Sequence, residues 1–322
     1  MGKRAKLTDV DRKRDRAGRG SLLQRQVSQR CARRYEAAVA YFFWLLPYVW
    51  GAWPREWRDR DDSLCHFLEC LWSEGEAKSR AADTISGLQW HYGTKGCFPG
   101  AWRRYSIWNK LEISHGTPPL PSEALFALCA FALEGGHPFV AVTLYVAFHC
   151  LLRTGEFVGL QLSQLRGNRS AMTLVLTDTK TSKRHGATEY VNLDCAVARI
   201  LVEWSRLRLG HGPLIQLSQT KFRSLWKSLV QQAGLDPEIF QPYSVRRGGA
   251  TFDYIDSGSL DRSLLRGRWQ SIRAARVYVR EGEELLARLT FSPAHREVFL
   301  RGREAFLNFV HRADAELHSH GL

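Results

Sequence analysis

The sequence predicts a mainly α-helical fold of two domains, the second of which carries a small antiparallel β-sheet. The chain has 322 residues, and a chain of that length favours two domains of roughly 150 residues each. Along most of the chain, apolar residues recur at spacings of three and four, as they do on one face of a helix. Two short β-like runs stand close together in the second half, separated by a polar segment that ends in glycine, which is typical of a hairpin.

Composition indicates a folded, basic protein. Hydrophobic residues make up 44% of the chain, and its 11 tryptophans need burial, which excludes wholesale disorder. Lys and Arg number 46 against 32 for Asp and Glu, which gives a formal charge of +14. This surplus predicts a polyanionic partner, and charge alone does not separate nucleic acid from an acidic membrane surface.

The sequence predicts neither disulfides nor a metal site. The seven cysteines are odd in number and scattered, which is typical of reduced core residues. No H-E-x-x-H or C-x-x-C spacing occurs, so we expect no metal and no other cofactor. The apolar run at 37–53 is slightly short for a membrane span and is interrupted by Pro47 and Gly51. We therefore expect a soluble, intracellular protein with no membrane partner.

The N-terminal part of the chain is predicted to be a flexible basic arm, residues 1–27, followed by a helical domain, residues 28–113. Residues 1–34 contain twelve Lys or Arg and three Asp, which fits either a solvated tail or an arm for DNA binding or nuclear import. From Ser28 a helical pattern runs until Pro47. Further helices are predicted at 63–73, 78–91 and 102–111. The proline-rich stretch 114–121 disfavours helix and marks the domain boundary.

The second domain is predicted over residues 120–290. It begins with helical runs at 122–133 and 140–152. The β-like runs follow at 171–179 and 187–193, and the polar segment 180–186 is predicted to be the loop between them. Helical patterns then continue, and residues 291–322 are predicted to form a C-terminal helix with its apolar residues along one stripe.

Five motifs in the second domain carry a family resemblance. In chain order they are Leu151-Leu152-Arg153-Thr154-Gly155-Glu156, Thr179-Lys180-Thr181, Tyr243-Ser244-Val245-Arg246-Arg247-Gly248-Gly249-Ala250-Thr251, Arg266-Gly267-Arg268-Trp269, and Tyr278, nine residues after Trp269. In identity and order they resemble the motifs of tyrosine recombinases of the phage-integrase family, with a Cre-like catalytic domain. The resemblance covers residues 120–290, and residues 28–113 have the size of that family's core-binding (SAM-like) domain.

The resemblance implies a division of chemical roles that suits the residue types. Transesterification of a phosphodiester without a metal needs cations that neutralise a pentacoordinate phosphorus. Arg153 and Arg246 are the candidates, because a guanidinium stays charged and offers a rigid fork of donors to phosphate oxygens. Tyr278 is the predicted nucleophile, and a cationic pocket favours its phenolate.

Four further residues complete the predicted site. Lys180 is the candidate general acid for the leaving 5′-oxygen, with Lys183 as its nearest rival. Trp269 is expected to pack against the pocket and offer one N–H donor, and Glu156 to orient an arginine or brace its turn. Tyr243 stands where the family usually has histidine. A phenol can donate a hydrogen bond to phosphate but cannot shuttle protons near neutral pH, so activity could be reduced or lost.

The implied function is a site-specific recombinase or integrase that cleaves and rejoins double-stranded DNA through a 3′-phosphotyrosyl intermediate, without metal or nucleotide cofactor. The resemblance also implies a homotetramer on DNA and a monomer or weak oligomer without it. For the C-terminal helix, packing in trans on a neighbouring subunit and packing on its own domain both stay open. A eukaryotic mobile element is one source that fits, and it would place the protein in the nucleus. Three alternatives stay open: a catalytically decayed, recombinase-derived DNA-binding protein, a type IB topoisomerase, and a generic basic RNA- or membrane-binding protein.

Overall fold

The computed structural model describes residues 9–17, 26–112, 116–177, 179 and 187–321. The chain divides into two compact units, residues 1–115 and 116–322. Helices dominate both units, and a three-stranded antiparallel sheet lies in the second, which confirms the predicted fold class. Among the residues described, no helix combines the length and the apolar character that crossing a membrane would require.

A helix, α1, spans Asp9–Ala17 within the segment that we expected to be a flexible arm. The arm was predicted from its charge, and the Lys and Arg residues that carry this charge are also good helix formers. Arg14 and Arg16 lie in the last turn, where positive charge interacts favourably with the helix dipole.

Four helices form the core of the first unit. They are α2 (Gln29–Val49), α3 (Trp57–Ser73), α4 (Lys78–Tyr92) and α5 (Pro99–Leu111). All four were predicted, although α2 continues past Pro47 and α3 begins before the predicted start. Asp61 of α3 is buried and accepts hydrogen bonds from the backbone N–H groups of Gly100, at 2.7 Å, and Ala101, at 2.9 Å. This carboxylate satisfies free donors at the start of α5 and joins the two helices.

The second unit contains ten helices and the sheet within its described residues. In chain order the elements are α6 (Ser122–Glu134), α7 (Pro138–His149), α8 (Thr154–Val158), a 3-10 turn (Leu162–Gln164), β1 (Leu165–Gly167), β2 (Met172–Leu176), β3 (Glu189–Asn192), α9 (Ala196–Leu209), α10 (Gln219–Gln232), α11 (Ser244–Ser257), α12 (Leu260–Gly267), α13 (Ile272–Arg276), α14 (Glu281–Thr290) and α15 (Pro293–Ser319).

The sheet has the order β1-β2-β3, with Leu165 opposite Leu174 and Thr173 opposite Asn192. Strands β2 and β3 lie within the two predicted β-like runs. The short strand β1 was not predicted, because three residues are too few to show an alternating pattern. The predicted loop at 180–186 lies outside the described residues.

The C-terminal helix α15 packs within its own unit, against α6 and α9. Its stripe, which includes Phe299, Phe306 and Leu317, is buried. At Gly302 a β-carbon would lie 2.5 Å from the α-carbon of Ala127, so the crossing of α15 over α6 depends on glycine. Within the single chain, the apolar face of this helix lies against its own unit, and packing on a neighbouring subunit stays a prediction.

Candidate active site

Arg246 connects three of the sequence motifs. Its side chain is fully buried on α11. One end of the guanidinium, Nη1, donates a hydrogen bond to the carbonyl of Leu151, and Nη2 donates to the carbonyl of Gly267 at 2.6 Å. Leu151 lies in the motif of Arg153 and Gly267 in the motif of Trp269, so one buried arginine fixes both of them relative to α11.

The two glycines after the Arg246-Arg247 pair allow α11 to approach its neighbours. A β-carbon at Gly248 would lie 2.0 Å from the carbonyl oxygen of Leu120. A β-carbon at Gly249 would lie 2.1 Å from the carbonyl oxygen of Phe148, on α7. Both distances are far below contact, so the small residues of this motif place Arg246 deep in the unit.

Arg153 is the residue just before helix α8, its N-cap, and follows a strained turn after α7. Leu151 has φ +51°, a left-handed conformation that is rare for a residue with a branched side chain. The Glu156 carboxylate closes the turn: Oε2 accepts the backbone N–H of Arg153 at 2.8 Å, and Oε1 pairs with Arg153 Nη1 at 2.7 Å. Glu156 therefore both braces the turn and orients the guanidinium of Arg153.

Tyr243, Arg246, Trp269 and Tyr278 form what we call the arginine–tyrosine cluster. The Tyr243 hydroxyl donates a hydrogen bond of 2.6 Å to the Tyr278 hydroxyl. Arg246 Cζ lies 5.1 Å from the Trp269 ring centroid and 5.2 Å from that of Tyr278. The Trp269 and Tyr278 rings are 4.6 Å apart. The cluster places the predicted nucleophile against a buried cation.

The backbone of Tyr278 is also held in place. Its N–H donates to the carbonyl of Ala275 at 2.8 Å, in the turn after α13. Its carbonyl accepts a hydrogen bond of 3.3 Å from the Thr251 hydroxyl, on α11. Since α11 also carries Arg246, the same helix holds the predicted nucleophile and the buried arginine.

The pKa values of the two tyrosines are shifted in opposite directions. Burial and the hydrogen bond to Tyr278 raise the pKa of Tyr243 above its ordinary value. Burial also acts to raise the pKa of Tyr278, but the hydrogen bond from Tyr243 and the charges of Arg246 and Arg153 outweigh it, so this pKa is lowered. Tyr278 is thus the phenol that ionises first, and Tyr243 is the donor that stabilises its phenolate.

Burial, together with the charges of Arg268 and Arg153, lowers the pKa of Arg246 to about 10. A guanidinium with that pKa is still protonated at neutral pH. Glu156 also stays ionised, because Arg268 and the backbone N–H and charge of Arg153 lower its pKa against the opposing effect of burial.

Lys180 and its rival Lys183 lie outside the described residues. Thr179, which precedes Lys180 in the sequence, is buried, and its hydroxyl donates a 2.6 Å hydrogen bond to Glu189 of β3. Glu189 lies 3.7 Å from the guanidinium of Arg268. The residue before the predicted general acid is therefore connected to the charged groups of the site.

Arg268 is the residue that sequence reasoning missed. It was quoted only as part of the Trp269 motif, yet its side chain is 5% exposed and pairs with Glu156 at 2.7 Å. The sequence did contain one signal for it. Between Gly267 and Trp269 a helix ends, and an arginine stands at the position where a glycine is common.

Arginines outnumber carboxylates at the site, which suits an anionic ligand. Arg153, Arg246 and Arg268 stand against Glu156 and Glu189. A phenol whose pKa is lowered and a surplus of guanidinium groups are the elements that nucleophilic attack on a phosphodiester requires. Across the described ranges, no group of three or more His, Cys, Asp and Glu side chains is placed to hold a metal ion.

Several solved structures are similar to this chain. The XerH site-specific recombinase, bound to its difH substrate in a pre-cleavage complex, shares 14% identity, with 72% of this chain and 70% of that chain covered and a TM-score of 0.45. The XerA recombinase shares 15% identity, with coverages of 83% and 93% and a TM-score of 0.42. The Tn1549 transposon integrase, in complex with transposon right end DNA, shares 11% identity, with coverages of 80% and 98% and a TM-score of 0.48. No family model matches the sequence, and no curated protein matches it.

Proposed function

We propose that the protein is a tyrosine recombinase, a site-specific strand transferase that cleaves and rejoins double-stranded DNA through a 3′-phosphotyrosyl link to Tyr278. The observation that carries this proposal is the arginine–tyrosine cluster. Residues from separate motifs, up to 35 positions apart, meet there with the hydroxyls of Tyr243 and Tyr278 at 2.6 Å, beside a buried guanidinium.

In the proposed cleavage step, the Tyr278 phenolate attacks the scissile phosphorus. The bond from phosphorus to Tyr278 Oη forms, and the bond to the 5′-oxygen breaks. The guanidinium groups of Arg246 and Arg153 neutralise the charge that builds up on the nonbridging oxygens. The leaving 5′-oxygen takes a proton, and we assign its delivery to Lys180.

Rejoining is the reverse reaction with a second 5′-hydroxyl. The hydroxyl gives its proton to Lys180, which lost one in cleavage, and its oxygen bonds to phosphorus while the bond from phosphorus to Tyr278 Oη breaks and Tyr278 leaves as a phenolate. Because the phosphotyrosyl bond conserves the energy of the phosphodiester, this cycle needs no nucleotide cofactor. Exchange of strands between two duplexes follows when the attacking hydroxyl comes from the partner duplex.

Tyr243 supports an active enzyme over a decayed DNA-binding protein. A raised pKa keeps its proton in place, so Tyr243 remains a hydrogen-bond donor over the whole neutral range. Its partner is the nucleophile, whose ionised form this hydrogen bond favours. The substitution of the family's histidine thus leaves a donor beside Tyr278, although it removes a group that titrates near pH 7.

The DNA partner and the assembly are proposals supported by surface features. A net charge of +14 favours a polyanion, and we assign the helical first unit to DNA binding as a core-binding domain. Helix α14 exposes three leucines on one of its faces, Leu285, Leu286 and Leu289, which are 58%, 64% and 68% exposed. Such a row favours contact between subunits, consistent with a homotetramer on DNA. An enzyme of this kind acts inside the cell, where DNA is.

A trapped covalent intermediate tests the proposal. Duplexes that bind the Tyr278→Phe protein are first selected from a random-sequence library, then nicked so that cleavage releases a short fragment and cannot be reversed. The protein should give an adduct that survives denaturation, and Tyr278→Phe should give none. Binding without an adduct from the unaltered protein would mean a decayed DNA-binding protein.

The same selected duplex separates recombinase from type IB topoisomerase. Two copies are placed in a supercoiled plasmid as direct repeats. A recombinase should yield two smaller circles, whereas a topoisomerase should relax the plasmid without any change in circle size. Relaxation alone would overturn the assignment to recombinases, but the assignment of Tyr278 as the nucleophile would stand.

A further inference from the structure

Arg268 occupies a backbone position that favours glycine. Helix α12 ends there, with the N–H groups of Arg268 and Trp269 bonded to the carbonyls of Leu265 and Leu264, both at 3.1 Å. Arg268 has φ +58°, in the left-handed region where a side chain is strained. A long charged residue at such a position needs a reason beyond helix termination.

The side chain of Arg268 lies between two carboxylates that belong to different parts of the unit. Its Nη2 donates to Glu156 Oε2 at 2.7 Å and to the carbonyl of Leu151 at 3.3 Å. Its Nη1 lies 3.7 Å from Glu189 Oε2. Glu156 is on α8 and Glu189 on β3, so this guanidinium connects α8 with β3.

Each carboxylate in turn holds a residue that matters for the proposed chemistry. Glu156 pairs with the guanidinium of Arg153 at 2.7 Å. Glu189 accepts the hydroxyl of Thr179 at 2.6 Å, and Thr179 directly precedes Lys180 in the sequence. We call the set Arg153, Glu156, Arg268, Glu189 and Thr179 the carboxylate network.

We propose that Arg268 is a positioning residue that joins Glu156 to Glu189, and that it thereby sets the orientation of Arg153 and of Thr179, the residue before Lys180 in the sequence. The assignment rests on the proposed function, since Arg153 and Lys180 take their roles from it. A hydrogen bond to Glu156 and an ion pair at 3.7 Å with Glu189, in different directions, suit a planar guanidinium with two terminal nitrogens, which lysine does not offer.

Burial argues for orientation and against simple stabilisation. Removing a charged side chain from water is unfavourable, and a well-packed apolar residue often replaces a buried ion pair without loss of stability. Arg268 is 5% exposed and adds its charge to a site that already contains Arg246, whose pKa it lowers. A residue that only filled space or ended the helix would avoid both effects.

The test compares Arg268→Gln and Arg268→Lys with a matched control, Arg206→Gln. Arg206 is also a structural arginine of the second unit: it donates to the carbonyl of Gly167 at 2.9 Å and pairs with Glu203 at 2.6 Å, outside the carboxylate network. Thermal melting first establishes that the three variants fold and how far each is destabilised.

The first measurement is amide hydrogen exchange of the full chain, which needs no activity. In Arg268→Gln we expect faster exchange in the peptides of both α8 and β3 than in Arg206→Gln, because the link between them is lost. Unchanged exchange in these two peptides would overturn the proposal, whether or not the protein cleaves DNA.

The second measurement is the rate of adduct formation on the selected, nicked duplex, as a function of pH. Arg268→Gln should react roughly 10–100-fold more slowly, because small displacements of reacting groups have effects of that size. Its affinity for the duplex should stay close to that of the original protein, because a side chain that is 5% exposed offers little contact to DNA. Its acid limb should move to higher pH, since the pKa of Glu156 rises without its cationic neighbour. The adduct rate of Arg268→Lys should fall between that of Arg268→Gln and that of the original protein.

The outcomes separate this proposal from the proposed function. An adduct rate and pH profile in Arg268→Gln equal to those of Arg206→Gln would reduce Arg268 to a structural residue. If the unaltered protein forms no adduct at all, the proposed function fails, and the exchange experiment still decides whether Arg268 positions α8 and β3.

Discussion

Replacing Tyr243 by phenylalanine removes one oxygen atom from the site and leaves the ring. The lost group is the donor of the 2.6 Å hydrogen bond to the Tyr278 hydroxyl. This hydrogen bond is one of the causes of the lowered pKa of Tyr278, so without it that pKa must rise. Less phenolate is then present at neutral pH, and cleavage slows.

The size of the effect follows from the strength of a hydrogen bond to a charged acceptor. Such a bond contributes about 1.5–3 kcal/mol. Tyr278 is only partly buried, so the lower end applies. Since about 1.4 kcal/mol corresponds to a factor of ten in rate, we expect cleavage at pH 7 to fall about tenfold in Tyr243→Phe.

The assay is single-turnover formation of the covalent adduct on the selected, nicked duplex between pH 6 and pH 10. The rate of Tyr243→Phe should rise at higher pH than that of the original protein, and the two rates should converge once Tyr278 is ionised in both proteins. Tyr254→Phe, on the same helix α11 but outside the cluster, is the control and should leave the profile unchanged. An unaltered rate and profile in Tyr243→Phe would refute the assignment of Tyr243 as the donor to the nucleophile.

Three further predictions concern the support of the site. In Gly249→Ala the added carbon would lie 2.1 Å from the Phe148 carbonyl, so α11 must shift; thermal melting should show a loss of about 1–3 kcal/mol, and a melting temperature equal to the original would contradict the close approach. Burial and the charge of Arg266 lower the pKa of His149 to about 4 from 6.5. Between these two pH values the unfolded chain therefore binds the proton more readily than the folded chain does. The contribution of His149 to stability should be complete above pH 6.5 and fall by about 3 kcal/mol towards pH 4. Chemical denaturation across that range should show a smaller decline in His149→Phe, and an equal decline would exclude His149 as its source. Phe306 is fully buried where α15 packs on its own unit, so Phe306→Ala should destabilise the isolated protein at all concentrations by about 3–5 kcal/mol. A loss of stability seen only in the assembled protein would instead support packing of α15 on a neighbouring subunit.

Periodicity predicted much of the fold because most helices here are long and half-buried. The helices of the first unit and strands β2 and β3 repeat their apolar residues often enough for the pattern to show. Strand β1, at Leu165–Gly167, is too short for that, and α1 lies in a segment whose charge obscured its helical propensity. The packing partner of α15 could not be predicted, because an apolar stripe shows that a helix face is buried but does not show which element covers it.

The candidate site was accessible from the sequence through the order of its motifs, and the structure places Tyr243, Arg246, Trp269 and Tyr278 together. The residue types alone would not have done this, since each has an ordinary structural explanation. The importance of Arg268 could not be predicted, because its left-handed backbone and its two carboxylate partners depend on contacts between residues up to 112 positions apart.

The most direct measurement identifies the atom that DNA is joined to. The covalent adduct is digested with nuclease and protease, and the peptide that carries a nucleotide is sequenced by mass spectrometry. We predict a nucleotide attached through its 3′-phosphate to the Tyr278 hydroxyl. The same modification on Tyr243, or on any side chain outside the arginine–tyrosine cluster, would contradict the account.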